Sequence, residues 1–230
     1  MSEQVQKLFD TIAPRYDLLN SLLSFRVDRR WRGEAVKTLQ GDGCRRVLDL
    51  CAGTLALTIS LLRTNPRARV TAVDFSRAML EKGREMLPVG LRPRVKFLVA
   101  DAMRLEMPPD CYDAVMCAYG MRNIDDNERV LKKILGTLRP GGKLVVLEFF
   151  RPEGILSQLF NLTYAEFVIP VLGKLVSKHP NAYHYLRDSV RNFYTPSAYR
   201  ELLRTVGFEN IAIKPQSGGI SHLITAEVAK

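Results

Sequence analysis

The stretch Arg45-Arg46-Val47-Leu48-Asp49-Leu50-Cys51-Ala52-Gly53-Thr54-Leu55-Ala56, followed by a second apolar run that closes at Asp74, decides how the chain is read. Val47 to Leu50 is a short continuous apolar run interrupted only by Asp49, which is how a strand buried on both faces reads. Leu55 to Arg63 carries apolar residues through Leu57, Leu61 and Leu62, a helical spacing. The turn between them keeps one glycine, Gly53. Glycine serves such turns because it reaches backbone conformations closed to other residues and lets a ligand approach backbone N–H groups. With a single glycine the turn reads equally well as an ordinary strand-to-helix connection. Asp74 adds weight to the nucleotide-binding reading. Lying 25 positions after Asp49 at the end of the second strand, it can accept both hydroxyls of a ribose through its two oxygens. Alone, it reads as a cap residue beside Ser76. Asp101-Ala102, after the third strand, repeats the placement, where a carboxylate or a backbone N–H can read an adenine edge.

Outward from that stretch, apolar and often β-branched runs at Val70–Val73, Val95–Val99, Ala114–Cys117 and Leu144–Phe149 predict further buried strands. Helical patterns separate them. Ser76 is placed to cap a helix that stops at Pro88, and Asp125 or Asp126 to cap another through Val130, Ile134, Leu135 and Leu138, ended by Pro140-Gly141-Gly142. Thr195-Pro196 opens a helix that ends at Gly207. Asn210–Lys214 and His222–Val228 flank Ser217-Gly218-Gly219 and read as a hairpin. The alternation predicts an α/β fold, a doubly wound parallel sheet with an antiparallel edge. The expected organisation is one domain over 1–230: a helical lead-in (1–44), a core (45–151), a helical insertion over the carboxyl ends of the strands (152–194), and a last helix and hairpin (195–230).

Composition narrows the class. A hydrophobic fraction of 47% and a charged fraction of 25% belong to an ordinary globular chain. The most apolar segment, Ile155 to Val176, contains Gln158, Asn161, Glu166, Pro170 and Lys174 and is a poor bilayer span. The start lacks the basic and apolar regions of a secretory signal, so a cytoplasmic location with reduced thiols is expected. Cys44, Cys51, Cys111 and Cys117 include no Cys-x-x-Cys pair and no histidine at zinc spacing, so no metal is expected. A net charge of +10 and a pI near 9.6 favour an anionic partner, a nucleic acid or an anionic lipid surface. Arg26, Arg29, Arg30, Arg32 and Lys37 cluster near the start; a solvated helical face explains them as well as a binding patch does. The interleaved aromatic and basic strands of the usual RNA modules are missing, which disfavours nucleic acid.

After the fourth strand comes Ala118-Tyr119-Gly120-Met121-Arg122-Asn123. Arginine, asparagine and tyrosine at a strand end supply donors and acceptors of fixed geometry but no strong base. The plainer role for Arg122 is to pair with a carboxylate and tie down a loop.

With Phe9-Asp10-x-x-Ala13-x-x-Tyr16-Asp17-x-x-Asn20, Val47-Leu48-Asp49-Leu50, Gly53-Thr54, Tyr119-Gly120-x-Arg122-Asn123, Leu138-x-Pro140-Gly141-Gly142 and Leu147-Glu148-Phe149, the chain resembles the menaquinone and ubiquinone biosynthesis C-methyltransferase family along nearly its whole length. The resemblance implies a class I S-adenosylmethionine-dependent methyltransferase (Rossmann-like) fold with a seven-stranded sheet. It implies contacts to S-adenosylmethionine from Thr54, Asp74, Asp101 and Ala102, with Asp49 and Gly53 shaping the methionine end. Ala118 stands in that pocket where the family often has serine. Arg122, Asn123 and Tyr16 are implied to orient a prenylated quinol and a water that accepts its proton. The family's A-G-G-T-G-D turn is Cys51-Ala52-Gly53-Thr54-Leu55-Ala56 here, and Asp28-Arg29-Arg30-Trp31 lacks a common histidine. Ala56 thereby removes a carboxylate that would help hold the cofactor's amino end. The competing expectation is a non-catalytic protein that carries a quinone or supports a partner enzyme. Leu156, Leu159, Phe160, Phe167, Val168, Val171, Leu172 and Leu175 could line a channel for a prenyl tail or simply pack the insertion. Peripheral contact with an anionic membrane follows from the charge, and the oligomeric state, homodimer included, stays open.

Overall fold

The computed structural model describes residues 10–11, 13, 27–41, 43–153 and 180–230. Apolar runs become strands β1 (Arg46–Leu50), β2 (Arg69–Asp74), β3 (Val95–Val99), β4 (Tyr112–Ala118), β5 (Leu138–Glu148), β6 (Glu209–Gln216) and β7 (Ser221–Glu227). They form one seven-stranded sheet in the order β3-β2-β1-β4-β5-β7-β6. The first five strands run parallel, whereas β7 lies antiparallel between β5 and β6. The order reverses between β1 and β4, which opens a crevice at their carboxyl ends, where ligands bind in open α/β sheets.

The described helices are α1 (Asp28–Lys37), α2 (Ala56–Thr64), α3 (Arg77–Met86), α4 (Asn127–Thr137), α5 (Pro180–Asn192) and α6 (Pro196–Val206). Their caps are those the sequence marks. Ser76 Oγ accepts from Met79 N, Asp126 from Arg129 N and Thr195 from Ala198 N, while Gly207 closes α6 at φ 112°. One cluster under α4 and α6 joins Val115, Ile134, Val146, Tyr199 and Ile224; another joins Trp31, Val36, Leu61 and Met116 under α1 and α2. The sheet is thus covered on both faces. Trp31 Nε1 donates to Ser217 Oγ at 3.0 Å, tying α1 to the β6–β7 connection.

Pro140-Gly141-Gly142, read from sequence as a helix stop, lies inside β5, which begins at Leu138 beside Tyr112. The shifted register between Tyr112 and Ala114 and a left-handed Gly141 (φ 73°) take up the extra residues. Within the expected insertion, α5 is helical as anticipated. Residues 154–179, which include the apolar set from Leu156 to Leu175, lie outside the described residues, as does Tyr16. Among the described residues no helix is long and apolar enough to cross a membrane.

The turn after β1 is the least ordinary backbone in the sheet. Cys51, Gly53 and Leu55 have φ values of 57°, 51° and 65°, all left-handed. For a non-glycine this conformation costs roughly 1–2 kcal/mol per residue. Leu55 offsets that by full burial among Ala52, Ala72, Leu80 and Leu87, contributing about 1.5–3 kcal/mol. Its side chain occupies the space over Gly83 of α3, where a Cβ would stand 2.6 Å from Leu55 Cγ and 2.9 Å from the Thr54 carbonyl carbon. Gly83→Ala should therefore destabilise the protein by about 1–3 kcal/mol. Thermal unfolding followed by circular dichroism should show a melting temperature lower by roughly 2–12 °C, and Leu55→Ala in the same chain should return part of it.

Candidate active site

The sequence-marked residues among those described lie at the carboxyl ends of β1 to β4, and of them Asp49, Gly53, Thr54 and Ala118 line one cleft. Asp74 is buried; its Oδ2 accepts from Gly53 N at 2.8 Å and its Oδ1 from Ser76 N at 2.9 Å. A single carboxylate thus holds the β1 turn against the start of α3. Ser76 in turn donates its hydroxyl to Asp10, bringing the N-terminal segment to the same point. Asp49, also buried, accepts from Thr58 Oγ1 at 2.5 Å and so anchors the first turns of α2. Asp101 Oδ1 accepts from Met103 N at 2.9 Å, which shapes the turn after β3, and Ala102 is buried beneath it.

Burial pushes Asp49 up to about 7, the Thr58 bond opposing and the charge of Asp74 assisting. It also pushes Asp74 up to about 6, against the bonds from Ser76 and Gly53. Asp49, Gly53, Thr54, Ala118 and Tyr119 line an open cleft with about 370 Å³ of empty volume, and Arg32 of α1 completes its wall.

The β4 turn makes the neighbouring wall. Tyr119 is left-handed (φ 60°) and stacks on Phe149 with ring centroids 4.7 Å apart. Gly120 is required by close approach, since a Cβ there would lie 2.3 Å from Cys51 Cβ. Arg122 takes the plainer of its two roles in this geometry. Its Nη1 donates to Glu148 Oε1 at 2.6 Å and to Tyr119 O at 2.7 Å, and its guanidinium lies over the Phe149 ring. Glu148 Oε1 also accepts from Phe149 N, and its Oε2 from Arg122 N. The ion pair is buried on both sides, so a large part of the arginine's charge is offset where it stands. Asn123 donates to Tyr119 O and accepts from Tyr185 Oη at 2.7 Å, which brings α5 to this turn.

Sequence reasoning missed Arg32, Glu148 and Tyr185 as parts of this site. Arg32 was hidden in a basic cluster with the look of a solvated face; the spacing of Asp28 and Arg32, one helical turn apart, was the available signal. The turn itself fits an adenosyl ligand. The left-handed Gly53 presents its N–H to Asp74, each Asp74 oxygen has a second lone pair, and Leu55 keeps the conformation that a glycine would supply.

The strand order and this site define the S-adenosylmethionine-dependent methyltransferase fold. SpnF, a [4+2]-cyclase, superposes with a TM-score of 0.72 at 19% identity over 100% of this chain and 96% of that one. The model of the ubiE/COQ5 methyltransferase family matches residues 1–227, and the chain belongs to that family. It is 39% identical to a ubiquinone/menaquinone biosynthesis C-methyltransferase UbiE of Geobacter sulfurreducens over 98% of this chain and 88% of that protein. To a demethylmenaquinone methyltransferase of Thermus thermophilus it is 43% identical, over 87% and 91% respectively. Family membership makes the chain a methyltransferase rather than a non-catalytic carrier, and the retained turn answers the loss of a flexible residue at Leu55, while Ala56 leaves the first turn of α2 without an acid.

The raised carboxylates set a pH dependence. A buried acid whose folded value exceeds its unfolded value stabilises the fold fully below the unfolded value, near 3.9, and loses that contribution as pH rises through the folded one. For Asp49 the loss runs from about pH 4 to about 7. Asp49→Asn should flatten the fall in melting temperature over that window, and melts at pH 5 and pH 8 measure the difference.

Proposed function

We propose that the protein transfers the methyl group of S-adenosylmethionine to a ring carbon of a prenylated quinol, converting demethylmenaquinol to menaquinol. The observation that carries this reading is the meeting of the Asp74-held β1 turn with Ala118 and Tyr119 of the β4 turn at one cleft, in a chain whose relatives bear quinone methyltransferase names. Asp74 would hold the ribose, Asp101 and Ala102 the adenine, and Asp49, Gly53, Thr54 and Ala118 the methionine end. When bound, S-adenosylmethionine supplies a methyl group already electrophilic at its sulfonium.

The protein's share is then placement and exclusion of water. The quinol ring carbon turns nucleophilic as a neighbouring phenol, titrating near 10 in water, gives up its proton. Because Glu148 offsets the charge of Arg122, this pair supports the developing phenolate through fixed, oriented donors more than through net charge. Arg122 also fixes the Tyr119 carbonyl to which Asn123 donates. Asn123 and Tyr16 would contact the quinol and its water, with Arg122 as the residue that positions them. Peripheral attachment to an anionic membrane fits the net charge of +10 and would bring the enzyme to a lipid substrate.

Two measurements test the reading. Purified protein given S-adenosylmethionine and demethylmenaquinol in detergent should form menaquinol and S-adenosylhomocysteine; cofactor binding with no transfer to any quinol would overturn it. The paired change Arg122→Gln with Glu148→Gln, which leaves no lone buried charge, should lower turnover by about 10²-fold while the S-adenosylhomocysteine dissociation constant stays within about threefold. Equal loss in both would count against a substrate-side role.

A further inference from the structure

We propose that Arg32 receives the α-carboxylate of the methionine moiety, so that this chain grips the amino-acid end of its cofactor by the acid group. The proposal rests on the cofactor reading of the crevice given above. Arg32 lies on the wall shared with Asp49, Gly53, Thr54, Ala56 and Tyr119, a lining that includes neither Asp74 nor Asp101. Its side chain is 11% exposed, and Asp28 one turn earlier on α1, 3% exposed, engages Nη2. A guanidinium has five N–H donors in a rigid fork that matches a carboxylate, and an ion pair at one end aims the rest.

The surrounding charges select an anion. Position 56 opens α2 with alanine, so neither an acid nor a side-chain cap stands in the first turn of that helix. Asp49 is the acid among the lining residues, and its burial draws it toward the neutral form against the opposing hydrogen bond from Thr58. The guanidinium also acts on the Tyr119 hydroxyl of the same wall, favouring the phenolate against a strong burial effect. A ligand with a carboxylate at this end meets complementary charge, and one ending in a lone ammonium does not.

Calorimetric titration of the full chain with three probes tests this: S-adenosylhomocysteine, its decarboxylated analogue S-adenosyl-3-thiopropylamine, and 5′-methylthioadenosine, which lacks the amino-acid portion. The native protein should prefer S-adenosylhomocysteine over the decarboxylated analogue by about 10- to 100-fold. Arg32→Ala should lose that preference, weakening S-adenosylhomocysteine by the same factor and leaving both smaller probes within about twofold of native. Arg32→Lys should keep part of it. Asp28→Asn combined with Arg32→Gln, which strands no buried charge, should behave as Arg32→Ala does if the single variant folds poorly. An Arg32→Ala protein, or that paired variant, that still prefers the carboxylate-bearing probe would overturn the proposal. A native protein that binds none of the three would overturn the cofactor reading itself, and this proposal with it.

Discussion

The functional end of the molecule depends on the carboxylate of Asp74. Its two oxygens accept Gly53 N and Ser76 N, which come from the β1 turn and the head of α3, segments with no strand pairing to each other. Ser76 passes the connection on, capping α3 through Met79 N and reaching Asp10. Remove this carboxylate and the left-handed turn from Cys51 to Leu55 loses the side-chain tether that Asp74 gives it and keeps the backbone bond from Ala52 N to Val73 O. Burial favours the protonated acid, and the backbone N–H donors favour the ionised one. Burial and the two N–H donors thus pull this carboxylate in opposite directions, with burial the larger effect.

Much of this architecture was legible because it rests on local chemistry. Strands β1 to β4 follow from apolar runs, and Ser76, Asp126, Thr195 and Gly207 mark helix ends through short-range bonds that any reader of residue types can anticipate. Pro140-Gly141-Gly142 was read as a helix stop, and its place inside β5 was not anticipated, for an equally physical reason. Such residues stop a helix, as they do here after Thr137, but nothing local says that the chain then pairs at once with β4, and that pairing comes from Tyr112, far away in sequence. Leu55 is the instructive case at the site. Residue type alone says that a leucine loses what a glycine gives, whereas the structure shows the left-handed backbone kept and stabilised by a pocket over Gly83. The compensation lies 28 residues downstream, in the absence of a side chain, where no pattern of periodicity points.

The partners of the two arginines were hidden in the same way. Arg122 was marked by its motif, yet its role turns on Glu148, which lies across the sheet on the adjoining strand and is fully buried. Arg32 sat among exposed basic residues and is distinguished only by tertiary burial, since Arg29 and Arg30 beside it on α1 are exposed. A charge run in sequence therefore mixes two populations, and the fold separates them by which face of one helix meets the sheet.

The two ends of the crevice follow different electrostatic rules, and the difference bears on how a quinol and a charged cofactor share it. On the side proposed for the quinol, Arg122 is matched by a buried glutamate, so this wall offers oriented dipoles with little net field: the Tyr119 carbonyl, the Asn123 amide and the Tyr185 hydroxyl. A neutral, lipid-soluble ring loses little on entering such a wall, because no strong charge has to be stripped of water to admit it. On the side proposed for the cofactor, burial raises Asp49 and Asp74 above the usual carboxylate range and position 56 is alanine, so less negative charge stands between Arg32 and the head of α2. A sulfonium cofactor carries its own positive centre, and an unpaired arginine beside it would repel that centre. Asp28 resolves the conflict: by engaging Arg32 from within the same helix, it trims the long-range field while the remaining N–H donors keep their short-range reach toward an acid.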